Sequence, residues 1–500
     1  MPIEQITQAA SLVVPEVILL GTMCVMFLAG PFLVTDAGTA APGLRHRWGA
    51  LSLIALASAW FAWQSAGTEP VTGGPFRSDD LLWFVRGLTL TAGVALALLL
   101  WNQIDDGHAA EAHACLLAIL AGVNLTAAAN DLVMLFLALE LVSIPTYVLL
   151  YLPRRDAAMR EATLKYFLLS IFSSALLLYG MSWLFGVTGT TNLSGIARLS
   201  AARELPIEAG PMQLAVALIV AGLAFRITAV PFHFYAPDVF QGVTSSAAAM
   251  LSVLPKFVGF VALLRLMPDI AGVTASDAWI PTQNAQQLLA AMAVLTMFGG
   301  NLLALRQRHL HRLLAYSSVA HAGYMLVGLA VGSERTAVAG SSAILFYLGA
   351  YALMTIGVFA FLGAAGTNGR TLATIDDLKG LSRRRPVAAL CLAVCLFSLT
   401  GLPPTAGFLG KLNLFLAAWS STGAVGQVLA GLLAVNAAIA AWYYLRLIGV
   451  MYFEPSESQA GPSTEPTAWL AGAACTLATL ALFVAPQWVW DAALRATSSL

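Results

Sequence analysis

Along the 500 residues, long apolar stretches alternate with short polar ones. Residues 166–197, 336–369 and 412–445 each run without a charged side chain, further than the ~20 apolar residues that cross a bilayer. Segmenting the whole chain in this way predicts about 14 helices, starting near residues 11, 48, 81, 111, 131, 161, 212, 244, 285, 313, 340, 387, 423 and 467. The connections are short, so the pattern describes one polytopic bundle that is all-α and integral to a membrane. It divides into N-terminal helices over about 11–127, a first repeat region over 131–268, a second over 285–453 and a last helix over 467–490.

Composition sharpens this picture. Charged residues make up 10% and hydrophobic residues 59% of the chain, where a soluble domain carries about a quarter charged. With 25 basic and 25 acidic residues, nothing favours nucleic acid as a partner. Cys24, Cys115, Cys391, Cys395 and Cys475 all fall in apolar segments, with spacing that suits neither a zinc site nor a disulfide frame. The first apolar run, 17–35, has no basic leader before it and reads as a retained span.

The loops carry a side preference. Those after odd-numbered spans hold Arg45, Arg47, Arg154, Arg155, Arg160, Arg306, Arg308, Arg312, Arg370, Lys379, Arg383, Arg384 and Arg385. Those after even-numbered spans hold Arg77, Arg198, Arg203 and Arg335. An excess of lysine and arginine marks the cytoplasmic side, so both termini are expected outside, as an even number of spans requires.

The charges within the apolar segments point to chemistry. Four of the 25 basic residues are lysines, and Lys165, Lys256 and Lys411 lie in apolar segments while the loops use arginine almost exclusively. Lysine can release its proton when buried and arginine does not, so this distribution is what a proton path needs. The competing reading is lysines that snorkel or pair structurally. Glu140 lies nine residues past Asp131, about 14 Å deeper along a helix; Asp131 reads as the helix cap. An intramembrane carboxylate is a functional candidate by default. Glu161 and Lys165 share a helix face and read equally well as a structural ion pair. His233 and His321 are candidate relays or packing residues. His309 and His311, in RQRHLHR, read as a solvated loop.

Prolines stand beside these charges: Pro145 after Glu140, Pro231 after Arg226, Pro255 before Lys256, and Pro403 with Pro404 before Lys411. Each leaves the carbonyl four residues back without its helical donor, among them those of Leu399 and Thr400. Such carbonyls are tolerated at membrane depth only where protein or water satisfies them. Broken seventh and twelfth spans, five spans apart, fit two inverted five-helix repeats.

The stretches LALELVSIPTYVLLYL, EATLKYFLLSIFSSALLLYG, AVPFHFYAPDVFQG, LSVLPK, HRLLAYSSVAHAGYMLVG and LTGLPPTAGFLGK occur in that order. On these the chain resembles the antiporter-like membrane subunits of the proton-pumping NADH:quinone oxidoreductase, respiratory complex I, and among them subunit N. Ala236 and Val239 flank the Pro-Asp of the seventh span as in subunit N. The resemblance implies proton translocation coupled to electron transfer elsewhere. Glu140 would pair with the basic residue of the seventh helix, Lys256 would be the central carrier, and Lys411 would lead to the exit. Lys165 and Glu161 would be auxiliary.

It further implies no redox centre on this chain, with NAD, FMN, iron–sulfur clusters and quinone on partner subunits. M-, K- and L-type neighbours would flank it in a bacterial inner membrane. The family usually has lysine where this chain has Arg226 and tryptophan where it has Tyr235. Arg226 would then be a fixed counter-charge to Glu140. The rival reading is a subunit of a multi-subunit cation/proton antiporter, or of a membrane hydrogenase.

Overall fold

The computed structural model describes residues 12–34, 41–65, 71–152, 157–202, 204–205, 210–275, 278–332, 338–365, 372–421, 423–455 and 465–498. The chain is helical almost throughout. In order run α1 (Val14–Ala29), α2 (Leu44–Ser65), α3 (Asp80–Leu100), α4 (Ala109–Ala128), α5 (Leu132–Tyr151), α6 (Ala157–Thr188), α7 (Leu193–Ala201), α8 (Gly210–Arg226), α9 (Ala236–Gly242) and α10 (Ser245–Ala271). They are followed by α11 (Gln283–Leu305), α12 (Leu310–Val331), α13 (Gly340–Ala364), α14 (Leu381–Arg384), α15 (Pro386–Thr400), α16 (Ala406–Ser420), α17 (Ala424–Phe453), α18 (Pro466–Val484) and α19 (Gln487–Ser498). Two short antiparallel hairpins, β1 (Val71–Gly73) with β2 (Phe76–Ser78) and β3 (Gly272–Ala275) with β4 (Ala278–Pro281), close loops at helix ends.

Every expected span start lies close to an observed helix start, the largest differences being 48 against Leu44 and 161 against Ala157. Among the described residues, 11 helical segments are long and apolar enough to cross a membrane. The expected seventh and twelfth spans are each broken in two, α8 with α9 and α15 with α16, so that neither half reaches full length alone. The internal prolines Pro145, Pro255 and Pro268 leave α5 and α10 helical. Arg154, Arg155, Arg203, Arg335 and Arg370, which enter the side assignment, lie outside the described residues, as do 1–11 and 499–500 at the termini.

Local chemistry sets the boundaries. Asp131 caps α5, its carboxylate accepting from Val133 N at 2.8 Å, and Asp79 caps α3 by accepting from Leu82 N at 3.0 Å. These side chains satisfy amides that the first turn leaves unpaired. Helices α4, α10, α12 and α13 are buried nearly end to end, whereas α1, α6, α11 and α17 turn apolar faces outward. Helix α13 packs against α10 and α18, α6 against α8, and α11 against α12.

Two buried ion pairs brace the bundle. Arg86 of α3 donates to both oxygens of Glu16 on α1, at 2.8 and 2.7 Å. Arg265, near the end of α10, binds Asp79 and donates to the carbonyl of Ala127 in the last turn of α4, while Arg77 reaches the same Asp79 at 2.8 Å. Pairing of this kind is what lets charge stay inside an apolar bundle.

Candidate functional site

The first break delivers Arg226, the last residue of α8, to Glu140 on α5. Nη2 of Arg226 stands 2.9 Å from Glu140 Oε1, and Nη1 donates to the Leu139 carbonyl at 3.0 Å and to Ser143 Oγ at 2.7 Å. Ser174 of α6 donates to the same Glu140 oxygen at 2.5 Å. The guanidinium fork thus spans carbonyl, hydroxyl and carboxylate with donors fixed in one plane. Tyr235 stacks on Phe225, centroids 4.4 Å apart, and its hydroxyl donates to the Phe225 carbonyl at 3.0 Å. It supplies one of the donors the break removes.

Two residues beyond Arg226, Thr228 turns the chain at φ +59, a left-handed conformation that is a genuine outlier for a β-branched residue and costs about 1–3 kcal/mol. That turn aims its hydroxyl at Lys256. Lys256 is fully buried on α10, and its Nζ donates to Thr228 Oγ1 at 3.1 Å and to Ser318 Oγ of α12 at 2.5 Å. No carboxylate pairs with it among the described residues. Tyr351 of α13 donates to Ser318 at 2.8 Å, and its ring lies 5.8 Å from the Lys256 nitrogen.

From Ser318 the polar line continues one turn along α12 to His321. This ring is fully buried, with Nδ1 2.6 Å from the Tyr347 hydroxyl and Nε2 3.1 Å from the Tyr444 hydroxyl, which also binds Ser317. Tyr324 meets the His321 ring edge-on at 5.5 Å and on its other side faces Lys411, 5.0 Å from the ring centre. Asn301 of α11 donates to the Tyr324 hydroxyl at 3.1 Å and to Asn436 Oδ1 of α17 at 3.0 Å.

The second break holds Lys411 differently. Its Nζ donates to the carbonyls of Leu399 at 2.8 Å and Thr400 at 2.7 Å, the two that Pro403 and Pro404 deprive of helical donors. Gly401, at φ +86, turns the chain there, and a Cβ on it would stand 2.8 Å from the Lys411 stem. Gly410 lets Tyr347 lie flat on α16, where a Cβ would meet the ring at 2.2 Å.

The structure therefore strings Lys256, His321 and Lys411 along α12 and α13 through Ser318, Tyr351 and Tyr324, with the Arg226–Glu140 pair two residues from Thr228 at the near end. Lys165 and Glu161 stand apart from this line. Lys165 lies 2.7 Å from both Glu161 and Asp238, and its side chain is 39% exposed. Asp238, on the half-helix α9, also binds Arg312 of α12 at 2.6 Å. The pair expected from spacing is thus one edge of a three-helix ion network. His233 sits within the first break, with Nδ1 buried and without a hydrogen-bond partner, and shares no bond with the line. His311 corrects the solvated-loop expectation: it is 5% exposed, in the first turn of α12, 3.3 Å from Ser245 Oγ. Thr228, Ser318, the tyrosines and the asparagine pair were not singled out beforehand. Their signal is isolated polar side chains inside otherwise apolar helices. Among the described residues no group of three or more His, Cys, Asp or Glu could hold a metal ion.

The family described as NADH:quinone oxidoreductase/Mrp antiporter, TM, matches residues 129–438, which contain both breaks. NADH-quinone oxidoreductase subunit N 1 of Solibacter usitatus is 37% identical over 494 residues, covering 97% of this chain and 96% of its own. Subunit N of Rhodospirillum rubrum is 36% identical over 500 residues, with the same coverage of 97% and 96%. A chain of respiratory complex I from Thermus thermophilus, solved with aureothin, superposes with a TM-score of 0.76 at 31% identity, covering 95% of this chain and 98% of that one. A chain of the Mrp complex from Dietzia shares the fold, with a TM-score of 0.79 at 21% identity, covering 97% of each. The chain belongs to the NADH-quinone oxidoreductase subunit N family of antiporter-like membrane proteins.

Proposed function

We propose that this chain is the proton-translocating N subunit of an NADH:quinone oxidoreductase. It moves protons along the line from Glu140 to Lys411 while partner subunits carry NAD, FMN, iron–sulfur clusters and quinone. The observation that carries the reading is Lys256: a fully buried lysine with no carboxylate among its partners in the described residues, held by two hydroxyls, one from the break after α8 and one from α12. Hydroxyls both donate and accept, so the site can hold the ammonium or the amine. Lys256 is the central carrier. Ser318, Tyr351 and His321 relay toward Lys411, which hands the proton to the exit side. Glu140 and Arg226 set the field on the other flank, with Arg226 as a permanent cation. Lys165, Glu161 and Asp238 tie α9 to its neighbours. The M-, K- and L-type membrane subunits are its neighbours in a bacterial inner membrane, and the arginine-rich loops face the cytoplasm, with both termini outside.

The test is Lys256→Met in the native host, read as NADH-driven acidification of inverted membrane vesicles together with NADH:quinone reductase turnover. Both fall while pumping by other respiratory enzymes persists. NADH-driven pumping that stays intact while growth becomes sodium-sensitive would overturn the assignment in favour of cation/proton antiport.

A further inference from the structure

The side chains of Arg308 and Arg446 line one cavity, and both act on Asp376 through charge. Arg308 precedes α12 and Arg446 lies on α17, facing a cavity of about 410 Å³ bordered also by Asp376, Val450, Phe453 and Glu454. This falls within the ~300–1,000 Å³ range of small-ligand sites. The wall is held by backbone bonds: Ile375 N donates to the Arg308 carbonyl at 2.9 Å, and Leu310 N to the Ala373 carbonyl at 2.8 Å. Both carboxylates are already engaged, because Lys379 stands 2.8 Å from Asp376 and 3.2 Å from Glu454. That contact holds the Asp376 carboxyl below its ordinary range, chiefly through its hydrogen bond with Lys379. The lining holds two arginines and two carboxylates, and Lys379, from outside it, engages both carboxylates, so the five groups together carry one excess positive charge.

Its position in the membrane gives the second constraint. Helix α17 has 30 residues, about 45 Å at 1.5 Å per residue, well beyond a hydrocarbon core of ~30 Å. Its last turns therefore rise into the headgroup layer, and there Phe453 is 86% exposed and Tyr452 38% exposed. Cationic guanidinium groups above an outward apolar surface match a phosphate with acyl chains attached.

We infer that the cavity between Arg308 and Arg446 is a binding site for an anionic phospholipid of the phosphatidylglycerol class. The phosphate sits between the two arginines, the headgroup hydroxyls donate to Asp376 and Glu454, and the acyl chains run down past Val450 and Phe453. Basic pockets between helices on the positively charged face are suited to such headgroups, and arginine matches phosphate geometry. This inference uses none of the residues on the proton line, so its fate and that of the proposed function are separate.

The experiment uses the intact complex in native membranes, with photoactivatable phosphatidylglycerol and phosphatidylcholine carrying the label on an acyl chain. Peptides spanning 447–455 are then analysed by mass spectrometry. Phosphatidylglycerol labels them severalfold more than phosphatidylcholine, unlabelled phosphatidylglycerol competes, and inorganic phosphate in excess does not. Arg308→Gln and Arg446→Gln each lower the labelling about fivefold, the ratio that roughly 1 kcal/mol per basic residue amounts to. Equal labelling by the two lipids overturns the inference without any variant. Competition by inorganic phosphate overturns the lipid assignment in favour of a free anion, and unchanged labelling in both variants overturns the arginine site.

Discussion

Each of the two breaks contacts a buried lysine, Lys256 on the neighbouring continuous helix α10 and Lys411 on the half-helix α16, and the two are held by different chemistry. At the first break, Lys256 is bound by hydroxyls of Thr228 and Ser318, which can accept from an ammonium or donate to an amine. At the second, Lys411 is bound by the carbonyls of Leu399 and Thr400, which can only accept. The first site can accept from the lysine or donate to a neutral amine's lone pair, whereas the second offers acceptors alone. The first break also holds a permanent ion pair, Arg226 with Glu140, and the second has no carboxylate among the partners of Lys411. The two breaks thus surround their lysines with different partners, hydroxyls at the first and carbonyls at the second.

The largest effect is expected where a fixed charge loses its partner. Glu140→Gln strands the guanidinium of Arg226, which costs roughly 3–5 kcal/mol for a fully buried pair, with the lower end expected because the Glu140 side chain is 21% exposed. Thermal unfolding of the purified complex measures this. Glu140→Gln with Arg226→Gln recovers part of the loss, and a double variant no better than the single one would remove the pair from the account.

Next comes the contrast between the lysines themselves. Lys411→Met leaves two carbonyls without donors, at about 1–3 kcal/mol each, while Lys256→Met leaves hydroxyls that can turn to other partners. Both variants stop pumping, but Lys411→Met lowers the melting temperature more; equal losses would erase the distinction drawn above.

Thr228 separates strain from hydrogen bonding. Thr228→Gly relieves a left-handed conformation that costs about 1–3 kcal/mol, whereas Thr228→Val keeps the strain and is the less stable of the two. Each loses the hydroxyl's two hydrogen bonds, from Lys256 and to the Ile227 carbonyl, and the lost contact with Lys256, about 1 kcal/mol, slows proton transfer about fivefold in vesicle acidification. Proton transfer at the wild-type rate in Thr228→Val would take the hydroxyl off the path.

The smallest effect lies outside both breaks. Asp106 accepts backbone bonds from Arg45 N at 2.7 Å and Gly43 N at 3.2 Å, and these hold its carboxyl below the ordinary range. A depressed carboxyl contributes stability above its unfolded value of ~3.9 and loses it as pH falls through the folded value. Asp106→Asn therefore flattens the acid side of the stability profile in detergent and leaves neutral pH nearly unchanged; an acid limb as steep as wild type would show that this carboxylate adds nothing.

Much of this was legible in the chain. Apolar runs and their polar punctuation located the helices, because a bilayer imposes one length on every span. Pro403 and Pro404 named the carbonyls that Lys411 binds, since the missing donors are a covalent fact. What stayed hidden depends on long-range assembly. Arg265 meets Asp79 across 186 positions and Asn301 meets Asn436 across 135, and no local periodicity encodes either. His311 was misread because the composition of its loop outweighed its place on the inner face of α12.

The brace at Arg265 also bears on which parts of the first half can move. Helix α10 carries Lys256 and, nine residues on, is pinned through Arg265 to the start of α3 and the end of α4. A continuous helix fixed in this way behaves as a stator. The non-helical stretch 227–235, with its strained Thr228, lies beside it. Lys256 therefore sits on a braced element while one of its two hydroxyl partners, Thr228, comes from the irregular segment beside it.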